Sequence, residues 1–395
     1  MREIFDAGFA ANPWPVLDRL RRDGGVHRVR TPDGPPAWLL TRYADVRSGL
    51  LDDRLSTDMR LAGSRDYRGF AVPPPLDTLL VAEPPDHARL RRLVTGELSP
   101  RQLAEWTRHA PDLIESLSKD LDSDATVDLV ERFAIPLPAA VLGELLGLAD
   151  PECEALHGWA SSTLLSSSTP LRSVTPPRAR DTLATMRTII TAAIERARTA
   201  PADTMLGRLV AAHDDAALTA DELHGLLFYL LFVWYEVLVD LIAGSILTLL
   251  TRPDQLRVLR TGRNKPPMVD ELLRYLSPQV LAGPRFATVD MHYGDYVIRA
   301  GDTVLLCLAG ANRDPEFIDS PNKLDLTRRR NPQLALGHGL HACLGAALVR
   351  TITAATLDHV FTRWPATTLA ISEGDIRWRS GFRHRGPLTL PVHLA

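Results

Sequence analysis

The sequence predicts a mainly α protein with small β-sheets. Three observations predict it. Apolar residues recur at helical spacing through four segments, 100–119, 181–199, 221–250 and 269–276. The strand-like runs are short and few. A chain of 395 residues with 45% hydrophobic content can also bury a substantial core. Many helices with a few short strands appended give this layered class.

Taken in order, 26–30 and 37–41 form the first pair of strand signals. Segment 100–119 places Leu103, Trp106, Ala110, Ile114 and Leu117 on one helical face. Segment 181–199 does the same with Leu183, Met186, Ile190, Ile194 and Ala197. From 226 to 250 the chain is almost wholly apolar. Segment 269–276 adds a short helix, and 297–299, 304–307 and 388–392 add strands. Pro/Gly/Ser-rich patches at 71–76 and 166–177 predict loops rather than domain linkers.

Segment 226–250 is long enough to cross a bilayer. Glu236 and Asp240 stand at its middle, one turn apart on the same face, and two acids at mid-bilayer are costly. The segment is therefore read as the buried axis of a large domain. A formal charge of −3 gives no global pull toward nucleic acid or membrane. Three cysteines, Cys153, Cys307 and Cys343, lack paired spacing, which points to a reducing compartment. The first residues show no apolar leader, so a cytoplasmic location is expected.

The most informative stretch is 336–345. Cys343 sits in a loop with Gly337, Gly339 and Gly345, immediately before a helix-forming run. A thiolate at that place receives help from N–H groups of the loop and helix start. The glycines let the backbone approach a flat, bulky ligand. A lone cysteine is more often a buried structural residue, but this arrangement is long and specific. A loop cradling one thiolate under a planar group suits haem iron.

The stretch resembles the haem-binding signature of the cytochrome P450 family, F-G-x-G-x-H-x-C-x-G. Only the first position differs, with Leu336 in place of phenylalanine. The resemblance to soluble bacterial members runs from about Asn12 to Val392. It implies the cytochrome P450 fold, one domain over 1–395, and haem b held by Cys343 as axial ligand. Glu83 to Arg91 is similar to the family's H-x-x-x-R element, which implies His87 and Arg91 as propionate partners. Arg285 matches the arginine after the family's E-x-x-R helix, and His341 adds a fourth donor. Glu271 and Arg274 form that E-x-x-R. In most proteins such a pair is a surface ion pair, whereas in the family it is a buried lock, with Arg328 or Arg329 completing the network.

The pattern breaks in the central helix. The family carries A-G-x-(D/E)-T there, whose threonine and acid relay protons during oxygen activation. Alignment by the flanks puts Trp234 at the glycine, Glu236 at the acid and Val237 at the threonine. Valine has no proton to donate, and the tryptophan ring enters space the family leaves open. The resemblance thus implies either substrate-assisted monooxygenation or a cyclisation, rearrangement, dehydration or peroxide-dependent oxidation. Glu236 then acts as acid/base with a pKa raised by apolar surroundings. The alternatives are ordinary chemistry with a repacked core, and a non-catalytic haem or ligand-binding protein.

Family anatomy places substrate contacts at 56–81, 161–178, the inner face of 228–240, 280–284 and 380–383. These include Arg60, Arg65, Tyr67, Arg68, Arg172 and Arg383. A hydrophobic, partly polar natural product of bacterial secondary metabolism is expected, free or bound to a carrier protein. No flavin or NAD motif is present, so electrons are expected from a ferredoxin and its reductase.

Overall fold

The computed structural model describes residues 1–32, 34–63, 78–79, 81–123, 125–165, 176–200, 202–379 and 382–395. The four expected helices occupy Pro100–Ser118, Pro176–Thr199, Ala220–Leu250 and Pro266–Leu276. The central helix, Ala220–Leu250, opens with a capping box. The Thr219 side chain accepts from the Glu222 N–H, and the Glu222 carboxylate accepts from the Thr219 N–H. The helix meets the length and composition of a membrane span, yet it is enclosed by its own chain. Leu226, Val239, Leu241, Ile242, Ala243, Ile246 and Leu249 are wholly buried. Helices Pro136–Leu146, Pro266–Leu276 and Ala346–Arg363 pack around it. A helix with neighbours on nearly every side must be apolar on nearly every side, and that is the origin of the span-like composition.

The main sheet has five strands in the order Val26–Val29, Ala37–Leu40, Thr303–Leu306, Arg285–Ala287, Leu55–Ser56. Val26 pairs with Leu40, Ala37 runs parallel to Thr303, and Arg285 faces Val304 across an antiparallel pair. Strands Arg285–Ala287 and Leu55–Ser56 were not signalled by periodicity, because three and two residues are too short to show one. The expected strand at 388–392 is a correction: only Pro391–His393 is extended in a ladder. The Leu388 N–H donates to Arg377 O, and the Leu390 N–H to the Asp128 carboxylate, outside any ladder. The consequence for function is positional. Arg285 begins a central strand of the sheet, so its side chain is carried on a rigid element.

Candidate functional site

The cysteine loop is closed by its own backbone. The Cys343 N–H donates to Leu336 O at 2.8 Å, Ala342 N–H to Gly339 O at 3.1 Å, and Gly337 N–H to Leu334 O at 2.9 Å. Gly337 and Gly339 hold φ of +70° and +76°, a region that side chains resist. At Gly339 a Cβ would also stand 2.9 Å from Leu51 Cδ2. Gly345 heads helix Ala346–Arg363, and its N–H favours the ionised form of the Cys343 sulfur. Burial nevertheless pushes the Cys343 thiol up, outweighing that N–H and the charges of Arg91 and Arg350. The loop and the nearby arginines thus favour the thiolate, as expected, without offsetting burial.

Cys343 lines a deep cavity with Leu336, Gly337, Val233, Trp234 and Val237. Basic groups gather at one part of it. Arg285 is buried in the wall and, among the described residues, donates only to carbonyls of its own loop, at 2.9 Å to Gly283 O. Burial lowers its pKa to about 10. His341 lies in the wall beside it, and its ring is 4.6 Å from that of His87. Burial, then the charges of Arg285, His87 and Arg91, lower His341 to about 3, so it is neutral. His87 is completely buried on helix Asp86–Thr95, and neither ring nitrogen has a hydrogen-bond partner among the described residues. Arg91, one turn on, donates to Leu340 O at 3.2 Å and Ala342 O at 2.9 Å, gripping the cysteine loop. All four expected residues are thus brought to one region. Glu83, from outside the expected set, orders its edge by accepting from Ser56 Oγ and the Thr57 N–H, both at 2.7 Å.

Glu271 and Arg274 form a bidentate pair at 2.7 and 2.8 Å, with side chains 1% and 0% exposed. Arg274 also donates to Asn312 O, Pro321 O and Lys323 O. Arg328, rather than Arg329, completes the network at 3.0 Å from Glu271.

The Trp234 ring lines the cavity with Cys343 and reaches Gly345, where a Cβ would meet Cζ3 at 2.7 Å, and its N–H is buried with no hydrogen-bond partner among the described residues. One expectation for the central helix is corrected. Glu236 is not raised toward neutrality. Burial pushes it up, but His384 (Nδ1 at 2.9 Å) and then Arg379 (Nη1 at 3.8 Å) outweigh burial and hold it at about 2. Asp240, one turn further, accepts from Arg379 at 2.9 Å, and burial lifts it to about 6. His384 is raised: burial opposes its charge, but Glu236 wins. The result is a quartet of two acids and two bases joining the central helix to the C-terminal segment.

Residues 266–368 match the family model described as Cytochrome P450. The vitamin D(3) 25-hydroxylase of Pseudonocardia autotrophica is 34% identical over 395 residues, covering 99% of this chain and 96% of that protein. The chain belongs to the cytochrome P450 family. The cytochrome P450 PksS of the bacillaene polyketide synthase of Bacillus subtilis 168 superposes with a TM-score of 0.90 at 30% identity, covering 100% of each chain. P450BioI, in complex with a hexadec-9Z-enoic acid-ligated acyl carrier protein, superposes with a TM-score of 0.86 at 27% identity over 98% of this chain and 99% of that one. The protein is a haem-thiolate oxidoreductase, and membership implies haem b.

The residues present in this P450 fit that group. An apolar cavity with one thiol, and basic side chains that include a buried imidazole without a partner among the described residues, matches a flat apolar ring system bearing two carboxylates. Of the expected substrate segments, Thr57, the inner face of 229–238, and Ala282, Gly283 and Pro284 line the cavity. Arg60 is instead paired with Asp58 on the surface. Phe382 packs on Phe5, with the Arg383 guanidinium over its ring. Arg65, Tyr67, Arg68 and Arg172, with 380–381, lie outside the described residues. Sequence reasoning did not single out Arg379 and His384, which approach Glu236 from far along the chain. It also passed over Tyr229, which its spacing of four from Val233 and eight from Val237 could have found.

Proposed function

We propose that this P450 oxidises or rearranges a hydrophobic, partly polar natural-product intermediate of bacterial secondary metabolism, with oxygen activation that departs from the family's usual relay. One observation carries the reading. Val237 faces the cavity without a hydroxyl, and Glu236 is held ionised by His384 and Arg379 rather than free to exchange a proton. Neither half of the acid–alcohol pair is available from the protein. The missing proton then comes from substrate and water, or the reaction needs less of it, as in ring formation, rearrangement, dehydration or peroxide use.

Haem b supplies redox chemistry at iron when bound. Cys343 would bind its iron, Gly337 would let the backbone approach the ring, and His87, Arg91, Arg285 and His341 would hold the propionates. The Glu271–Arg274–Arg328 lock keeps the underlying segment rigid. The whole of 1–395 acts as one cytoplasmic domain receiving electrons from a ferredoxin and its reductase. The likeness to P450BioI supports a carrier-bound form of the substrate.

The test is a product assay under isotopic dioxygen with reductant consumption measured alongside. Oxygen incorporated into product, with reductant used in proportion, contradicts the redox-neutral reading and leaves substrate-assisted monooxygenation. A reduced–carbon monoxide spectrum lacking thiolate-type ligation contradicts the cofactor assignment.

A further inference from the structure

The cavity wall is apolar almost throughout, and most of its polar side chains are already engaged. The Thr57 hydroxyl donates to the Glu83 carboxylate at 3.1 Å and meets His341 Nε2 at 3.4 Å. Arg285 donates to Gly283 O. Tyr229 and Gln279 are different. Both line the cavity, and neither side chain forms a hydrogen bond with any described residue. Tyr229 lies deep in the protein on the cavity wall, and its hydroxyl has no hydrogen-bond partner among the described residues.

The position of this phenol follows from the helix. Tyr229, Val233 and Val237 stand at i, i+4 and i+8 of Ala220–Leu250, on one row. Of the central-helix side chains in the wall, Tyr229 alone carries a hydroxyl, and the Trp234 N–H is enclosed. A deep phenol without a partner is unfavourable, and apolar ligand atoms placed over it would leave the donor unmet. A ligand oxygen placed there satisfies it. A site that offers a fixed donor discriminates strongly against an analogue lacking the matching acceptor.

We propose that Tyr229 is a specificity-determining residue whose hydroxyl donates a hydrogen bond to a ketone, ester or ether oxygen on an otherwise apolar substrate, setting which carbon faces the reaction centre. This rests on the reading of the cavity as a P450 substrate chamber. Gln279 is the competing host for such an oxygen, since it also lines the cavity with a side-chain amide that bonds no described residue.

The experiment uses the haem-loaded full chain and two matched probes, cyclododecanone and cyclododecane. Dissociation constants come from equilibrium dialysis and from the Soret shift. Wild type is compared with Tyr229→Phe, Gln279→Leu and Tyr235→Phe, whose hydroxyl bonds Ile135 O at 2.7 Å within the core. Tyr229→Phe is expected to weaken cyclododecanone binding by roughly three- to tenfold, the range of one neutral hydrogen bond, with cyclododecane unchanged. Tyr235→Phe is expected to leave the ratio of the two constants unaltered. The proposal is overturned if Tyr229→Phe shifts both probes equally or neither, or if the selective loss follows Gln279→Leu alone. Carbon monoxide spectra of the same preparations separate the failures. A wild type without thiolate-type ligation sinks the cofactor assignment, whereas an intact spectrum with an unchanged probe ratio sinks only Tyr229.

Discussion

Replacing His384 by leucine isolates the ion pair that holds Glu236. The carboxylate is shifted from 4.5 to about 2, with His384 the larger favourable contributor and Arg379, at 3.8 Å, the smaller. At about 1.4 kcal/mol per pH unit this corresponds to an upper limit of ~3 kcal/mol. The Glu236 side chain keeps 34% of its surface open, so solvent screening reduces the expected loss to ~1–2 kcal/mol. The sign with pH follows from both partners. Glu236 has a depressed folded pKa, so its contribution is present above 4.5 and is lost as pH falls toward 2. His384 has a raised folded pKa, so its contribution is complete below 6.5 and is lost as pH rises through the folded value. The pair therefore contributes most between pH 4.5 and 6.5. Urea unfolding of wild type and His384→Leu, followed by tryptophan fluorescence, is expected to show the largest gap inside that window and a smaller gap in alkaline buffer. A gap that is independent of pH, or that widens in alkali, would refute the assignment of Glu236 as an ion-pair partner.

Three further outcomes are expected. Gly345→Ala places a methyl 2.7 Å from the Trp234 ring and should cost about 1–3 kcal/mol; Trp234→Phe in the same chain should restore part of it, and additive losses in the double mutant would show that the two do not touch. Arg274→Met leaves the Glu271 carboxylate buried without its bidentate partner, so a loss of roughly 3–5 kcal/mol is expected from denaturant midpoints, against under 1 kcal/mol for exposed Arg60→Met. Val237→Thr restores a hydroxyl to the cavity and should raise product formed per reductant consumed, by less than the 10²–10⁴ range of a complete acid–base relay, because Glu236 stays paired; unchanged coupling would argue that the relay is not what limits turnover.

Much of the site was legible because its signals are local. Three glycines around one cysteine, ahead of a helix, announce a backbone that must turn sharply and approach a ligand, and Gly337 and Gly339 do hold positive φ. His87 and Arg91 share a face through i, i+4 spacing, and the Glu271–Arg274 pair through i, i+3. The helices were visible because 11 to 31 residues give a period time to repeat. The strands Leu55–Ser56 and Arg285–Ala287 were not, since a two- or three-residue strand exists only through the neighbour that pairs with it.

The amino-acid sequence by itself determined the family, the cysteine that faces the cavity, the basic residues around it and the loss of the threonine hydroxyl, because each is written in residue type and short spacing. Only the tertiary structure decided what Glu236 and Trp234 do. Apolar neighbours in the chain suggested a carboxyl driven toward neutrality. Folding brings His384 and Arg379 to it from more than 140 positions away, and their fields exceed the penalty of burial. The tryptophan likewise turned onto Gly345 because the bare glycine there leaves room for a ring. Charge and volume act through space, and contacts between distant segments are set when the helices pack.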